Sequence, residues 1–157
     1  MASNATALVA LTFLLLLVLL LPLHDALSNP NPPTSSAHDE LRLHGFPVGL
    51  LPSAVRAYSL NRTSGDFSVD LGGPCQFTLP PDNYLASYSP SVTGTLAEGR
   101  IARLDGIRVW AFFKWWSITG IRSDGGDLVF EVGVVSAKYA SKNFDETPVC
   151  EGRSSSS

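Results

Sequence analysis

The sequence predicts an all-β domain with one short N-terminal helix, built as a small closed or nearly closed barrel or roll of antiparallel strands. Three observations predict it. Short stretches alternate apolar and polar residues with period two. Gly, Pro, Asn and Ser punctuate the chain about every dozen residues. The run 107–121 is apolar on both faces, unlike a strand of an open sheet with one wet side.

The chain has 157 residues, 45% of them hydrophobic and 16% charged. That is a single-domain length with ample material for a core, and a domain of this size buries roughly two-thirds of its unfolded surface. A formal net charge of -3 sets nucleic-acid binding aside, because such binders carry a basic excess.

Residues 7–23 read ALVALTFLLLLVLLLPL, slightly longer than a signal-peptide core and at the short limit of a membrane span. Pro22 ends the run. Ala26 and Ser28 have the spacing of −3 and −1 residues, so cleavage falls after Ser28, with Ala26 as the alternative. The other reading is an uncut signal anchor; the shortness of the run and the lack of a flanking basic cluster speak against it. The expected organisation is therefore a signal peptide over 1–28, a Pro-rich linker over 29–37, a β-barrel domain over 38–151 and a disordered tail over 152–157.

Residues 38–44 suit a short helix, with Ser36 as N-cap, Asp39 and Glu40 in the first turn and Gly45 as the stop. In GFPVGLLP, residues 45–52, a turn lays Phe46, Leu50 and Leu51 onto the core. Residues 55–60 and 66–71 form a hairpin around NRTSG, with Phe67, Val69 and Leu71 on one face. Short strands follow at 76–79, at 84–88 and at 92–96, the last two separated by a turn at Ser89-Pro90. The run 107–121 then pairs, through the turn SDGGD, with a strand in which Leu128, Phe130, Val132 and Val134 alternate with Val129, Glu131 and Gly133.

Cys75 and Cys150 are the chain's two cysteines. An even count behind a signal peptide suggests a disulfide, which over a loop of about 75 residues contributes roughly 4 kcal/mol. Two separate buried thiols are the alternative. Asn61-Arg62-Thr63 is a glycosylation sequon in the hairpin loop, used or unused. Asn4-Ala5-Thr6 also fits the pattern but lies in the signal segment.

Common catalytic signatures are missing from the sequence. No G-x-S-x-G elbow or G-x-G-x-x-G loop occurs. Beyond the signal segment only His38 and His44 remain, on different sides of any helix. No ligand cluster has metal spacing, so no metal, cofactor or catalytic residue is assigned. Asp66 with Asp70, and Asp124 with Asp127, are carboxylate pairs that fit solvated surface better than glycosidase chemistry. Arg100, Arg103 and Arg108 read as surface charge before they read as a basic strip. The distinctive feature is the crowding of Trp110, Phe112, Phe113, Trp115 and Trp116. Either the strand is core on both faces, or one face lines an apolar pocket or binding patch. The even face supplies the candidate ligand-binding residues Trp110, Phe112, Trp116 and Ile118. The odd face, Ile107 through Trp115, is expected to be the better packed.

GFPVGLLP, the 58–69 hairpin, Gly73-Pro74-Cys75, the run 107–121 and the ending from Phe144 to Cys150 together resemble the plant proteins grouped as domain of unknown function 538. Phe46 stands where members often carry Leu. The resemblance covers about residues 39–151 and implies a closed or nearly closed barrel or roll and a plant source. That family has been likened to lipid-binding proteins of the bactericidal permeability-increasing type, a fold-level analogy that assigns no catalytic residues. The expected protein is secreted to the cell wall or apoplast. It is expected to be non-enzymatic and to bind an apolar or amphipathic, lipid-like small molecule. It should have no membrane span after signal cleavage, and its oligomeric state is open. The alternatives are an esterase-like hydrolase acting on a lipid or cell-wall substrate, and a cell-wall interaction module.

Overall fold

The structure, a computed structural model, describes residues 36–152. The expected signal peptide, the expected linker before Ser36 and the expected tail after Gly152 lie outside the described residues. Helix α1 spans Ala37–Leu43, and Ser36 and Asp39 close a reciprocal capping box at its start. Its buried face carries Leu41 and, unexpectedly, Glu40, which is only 2% exposed. Arg62 makes a two-pronged ion pair with that carboxylate, and the Tyr58 hydroxyl lies 3.4 Å from it. A buried charge is tolerable only when paired in this way.

A 3-10 helix, Val48–Leu50, follows, and Phe46, Leu50 and Leu51 enter the core as expected. The strands are β1 (Ala57–Leu60), β2 (Asp66–Asp70), β3 (Cys75–Leu79), β4 (Tyr84–Ala97), β5 (Arg100–Ala111), β6 (Lys114–Ser117), β7 (Gly120–Asp124), β8 (Asp127–Val132) and β9 (Val135–Ala140). A second 3-10 helix spans Ser141–Phe144. All pairings are antiparallel, in the order β1-β2-β4-β5-β7-β8-β9, with β3 on β4 and β6 on β5. The all-β reading holds, and of the closed and nearly closed forms expected, the closed one is not realised: β1 and β9 are the ends of this order, unpaired with each other.

Three sequence readings are corrected. Residues 84–97 form one bent strand, not two. Pro90 sits where the β4–β5 register slips between Tyr88 and Thr93, and its carbonyl accepts a hydrogen bond from Leu71 N–H. A proline lacking an N–H is accommodated at such a bulge. The bend lets the first half of β4 pair with β3 and the second half with β2.

The run 107–121 is not one strand. It doubles back at Phe112-Phe113, a two-residue turn with φ of 51° and 63°, so that Trp110 pairs with Trp115 and Val109 with Trp116. The reversal regroups the side chains. Across an antiparallel pair, directly opposed residues share a face. The expected odd and even faces therefore dissolve, and Phe113 is 95% exposed instead of packed.

Finally, Val134 ends no alternating strand. It occupies the tight turn between β8 and β9, and the chain continues from it into β9, a strand beyond those expected.

Candidate functional site

Antiparallel pairing gathers three turns at one end of the strands: β3–β4 (80–83), β5–β6 (112–113) and β8–β9 (133–134). A cavity of about 330 Å³ opens at that end, at the lower limit of ordinary small-molecule sites. One wall is Tyr84 and Tyr88 of β4, Ile107, Val109 and Ala111 of β5, and Trp116 of β6. The facing wall is Phe130 and Val132 of β8 with Val135, Ala137 and Tyr139 of β9. Leu50, Ile118, Ile121 and Phe144 contribute from the core, and Leu79, Pro80 and Phe112 contribute near the turns. A far smaller void of about 40 Å³, lined by Leu41, Val69, Val92 and Leu104 among others, is a packing gap too small for an organic ligand.

The polar atoms on the cavity walls are largely tied up by the protein itself. Tyr88 donates to Leu50 C=O at 3.0 Å, and full burial pushes its phenol above the usual range. Burial and then a hydrogen bond to Asp82 push the Tyr139 phenol up to about 12. Trp116 Nε1 donates to Ala111 C=O at 2.9 Å. The walls are thus left to present mostly carbon, a surface that favours apolar ligands over water.

Of the residues singled out from sequence, Phe112, Trp116 and Ile118 line this cavity. Trp110 does not. It lies on the opposite side of the hairpin, edge-on to Trp115 at 5.5 Å, with the Arg108 guanidinium over the Trp115 ring. Ile107, Val109 and Ala111, assigned from sequence to a tightly packed face, are cavity wall. The β9 residues were missed, although Val135, Ala137 and Tyr139 carry the period-two signal that would have found them.

Other candidates resolve locally. Cys75 and Cys150 form the disulfide, with Cα atoms 5.1 Å apart, which removes any thiol chemistry. Asp124 and Asp127 both bind Lys138 Nζ, at 2.9 and 3.2 Å. Asp66 pairs with Arg103, and Asp70 caps the turn at Gly72 N–H. Arg100 is bound to Glu131, so the three arginines form no free strip. Asn61 Oδ1 accepts from Thr63 and Ser64 N–H in the exposed β1–β2 turn, at the opposite end of the strands from the cavity mouth. Among the described residues no cluster of three or more His, Cys, Asp or Glu could hold a metal ion.

A family model described as "Protein of unknown function, DUF538" matches residues 37–145. The chain belongs to the DUF538 family. The match spans α1 through the second 3-10 helix, and so every strand that lines the cavity, but stops short of Cys150. No curated protein and no solved structure matches this DUF538 chain.

Proposed function

We propose that this DUF538 protein is a secreted binder of an apolar or amphipathic, lipid-like molecule held in the cavity between β4–β5–β6 and β8–β9. The observation that carries the reading is the 330 Å³ cavity with carbon-rich walls. An acyl chain or other apolar body would displace water from those walls at roughly 25 cal/mol per Å² buried. The secretory destination rests on the apolar N-terminal run and its small-residue cleavage pattern, and it is compatible with the disulfide. A glycan on Asn61 would sit away from the cavity mouth. The hydrolase alternative finds little support here: Ser136 lines the cavity, but no His, Asp or Glu lines it with it.

The test is mass spectrometry of natively purified protein for a co-purifying lipid, followed by titration with a fluorescent fatty acid. Ala111→Phe should fill the cavity and abolish probe binding, and Trp116→Ala should weaken it. Trp110→Ala, on the other face, should leave it unchanged. Equal effects of the two tryptophan variants, or no probe binding by the wild type, would remove the ligand reading.

A further inference from the structure

The cavity mouth is ringed by exposed apolar side chains, and of these only Phe112 and Val135 also line the cavity. Most of the large hydrophobic residues the fold leaves exposed belong to two hairpins: Trp110, Phe112, Phe113 and Trp115 on β5–β6, and Val134 and Val135 on β8–β9. Both hairpins turn at the same end of the strands. Phe112 is 80% and Phe113 95% exposed, and both sit in the left-handed backbone region that bulky residues avoid. Asn-Gly is the favoured pair in such a turn. Here phenylalanine holds both tip positions; Phe112 touches the Tyr84 ring, with centroids 6.5 Å apart, but Phe113 stands in water and gains nothing for folding.

The charge around the tip is complementary to a particular surface. Arg108 and Lys114 flank it, the first over the Trp115 ring at 5.5 Å and the second over the Trp116 ring at 3.5 Å. Neither forms an ion pair among the described residues, whereas Arg100, Arg103 and Arg122 of the same sheet are all paired. Of the acidic groups near this end, Asp82 is engaged by Tyr139 and Glu131 by Arg100 and Arg122. Apolar tips that can enter acyl chains, indole rings behind them and unpaired cations at headgroup level follow the arrangement found where proteins meet a bilayer interface.

We propose that the β5–β6 and β8–β9 tips dock the protein on an anionic lipid bilayer, with Phe113 and Val134 inserted beneath the headgroups and Arg108 and Lys114 on the lipid phosphates. The proposal goes beyond ligand binding and rests on the exposed tips, not on the cavity; docking would bring the cavity mouth to the membrane.

All three tryptophans of the chain lie in the β5–β6 hairpin, so emission excited selectively from tryptophan reports on this hairpin alone. The apolar segment 7–23 contains none, and its own attraction to lipid would not mimic the signal. The experiment adds vesicles of phosphatidylcholine, with and without phosphatidylserine, to the full chain purified from a eukaryotic secretory host. Expected are a blue shift of emission and quenching by lipids brominated high on the acyl chain, both stronger with phosphatidylserine. Phe113→Asp with Val134→Asp should weaken the association by roughly tenfold or more. Neither residue lines the cavity, so fatty-acid binding without vesicles should persist. Arg108→Glu with Lys114→Glu should erase the phosphatidylserine dependence.

No shift on any vesicle, or an undiminished shift in the Asp variant, would overturn the proposal. So would a shift that follows protein concentration without lipid, since it would assign the patch to a second copy of this chain. Loss of fatty-acid binding with vesicle docking intact would instead sink the cavity reading alone.

Discussion

Phe113 carries a cost that nothing in the fold requires. A left-handed backbone costs an ordinary residue roughly 1–2 kcal/mol, and Phe113 makes almost no packing contact in return. Glycine at that position removes the strain and forfeits some chain entropy, about 0.5–1 kcal/mol. Phe113→Gly should therefore raise stability by up to about 1 kcal/mol, read as a higher urea midpoint with unchanged m-value. A drop in the midpoint would mean that the ring packs against something and would weaken the case that the tip serves a surface outside the protein. Strain held at an exposed position is a common mark of function.

At the scale of elements, the second glycine in GFPVGLLP shows how a short motif locks distant segments together. A Cβ on Gly49 would lie 2.3 Å from the Phe144 carbonyl oxygen and 2.5 Å from that of Glu146. These are backbone atoms and cannot swing aside. Gly49→Ala should cost about 1–3 kcal/mol by overpacking, measured by thermal or urea unfolding. A neutral result would show that the two 3-10 helices can part enough to admit a methyl group.

Elements with uninterrupted alternation were legible in the sequence: α1 with its Ser36 cap, the β1–β2 hairpin with Val69 and Leu71 inward, and the β7–β8 hairpin at Gly125-Gly126. Where the ladder slips, the pattern misleads. On β5 the buried residues are Ile101, Leu104 and Ile107, spaced by three because positive-φ residues at Arg103 and Gly106 mark irregularities in the pairing with β4. Each extra residue inverts the inward side, so period two fails across it. The β5–β6 turn was hidden for a different reason. Its residues are Phe-Phe, and nothing in the local turn chemistry announces a reversal there. The cavity-lining set was accordingly half visible: aromatic crowding marked the right segment, but which tryptophan faces the cavity depends on the turn.

At the scale of the whole molecule, an unclosed sheet must keep two walls apart and joined without a closing strand pair. The stretch after the second 3-10 helix does part of that. Ser53 N–H donates to Pro148 C=O at 2.9 Å, Glu151 N–H donates to Gln76 C=O at 2.7 Å, and Cys150 is bonded to Cys75 at the start of β3. The chain's end is thereby tied to β3, which pairs with the β4 wall, while Phe144 packs on Phe130 of the β8 wall at 5.3 Å. The bond closes a loop with a sequence separation of 75, and the chain-entropy model gives roughly 4 kcal/mol for such a closure. Cys75→Ala with Cys150→Ala should lower unfolding free energy by about that amount. It should also speed release of a bound fatty-acid probe, because the floor residue Phe144 would lose a nearby anchor. Thiol labelling of denatured, unreduced wild-type protein should give no product, and labelling of both cysteines would refute the bond. If the double variant keeps full stability but loses the probe, the disulfide serves the cavity and not the fold. If it loses stability but holds the probe as before, the two walls are kept in place by the sheet alone.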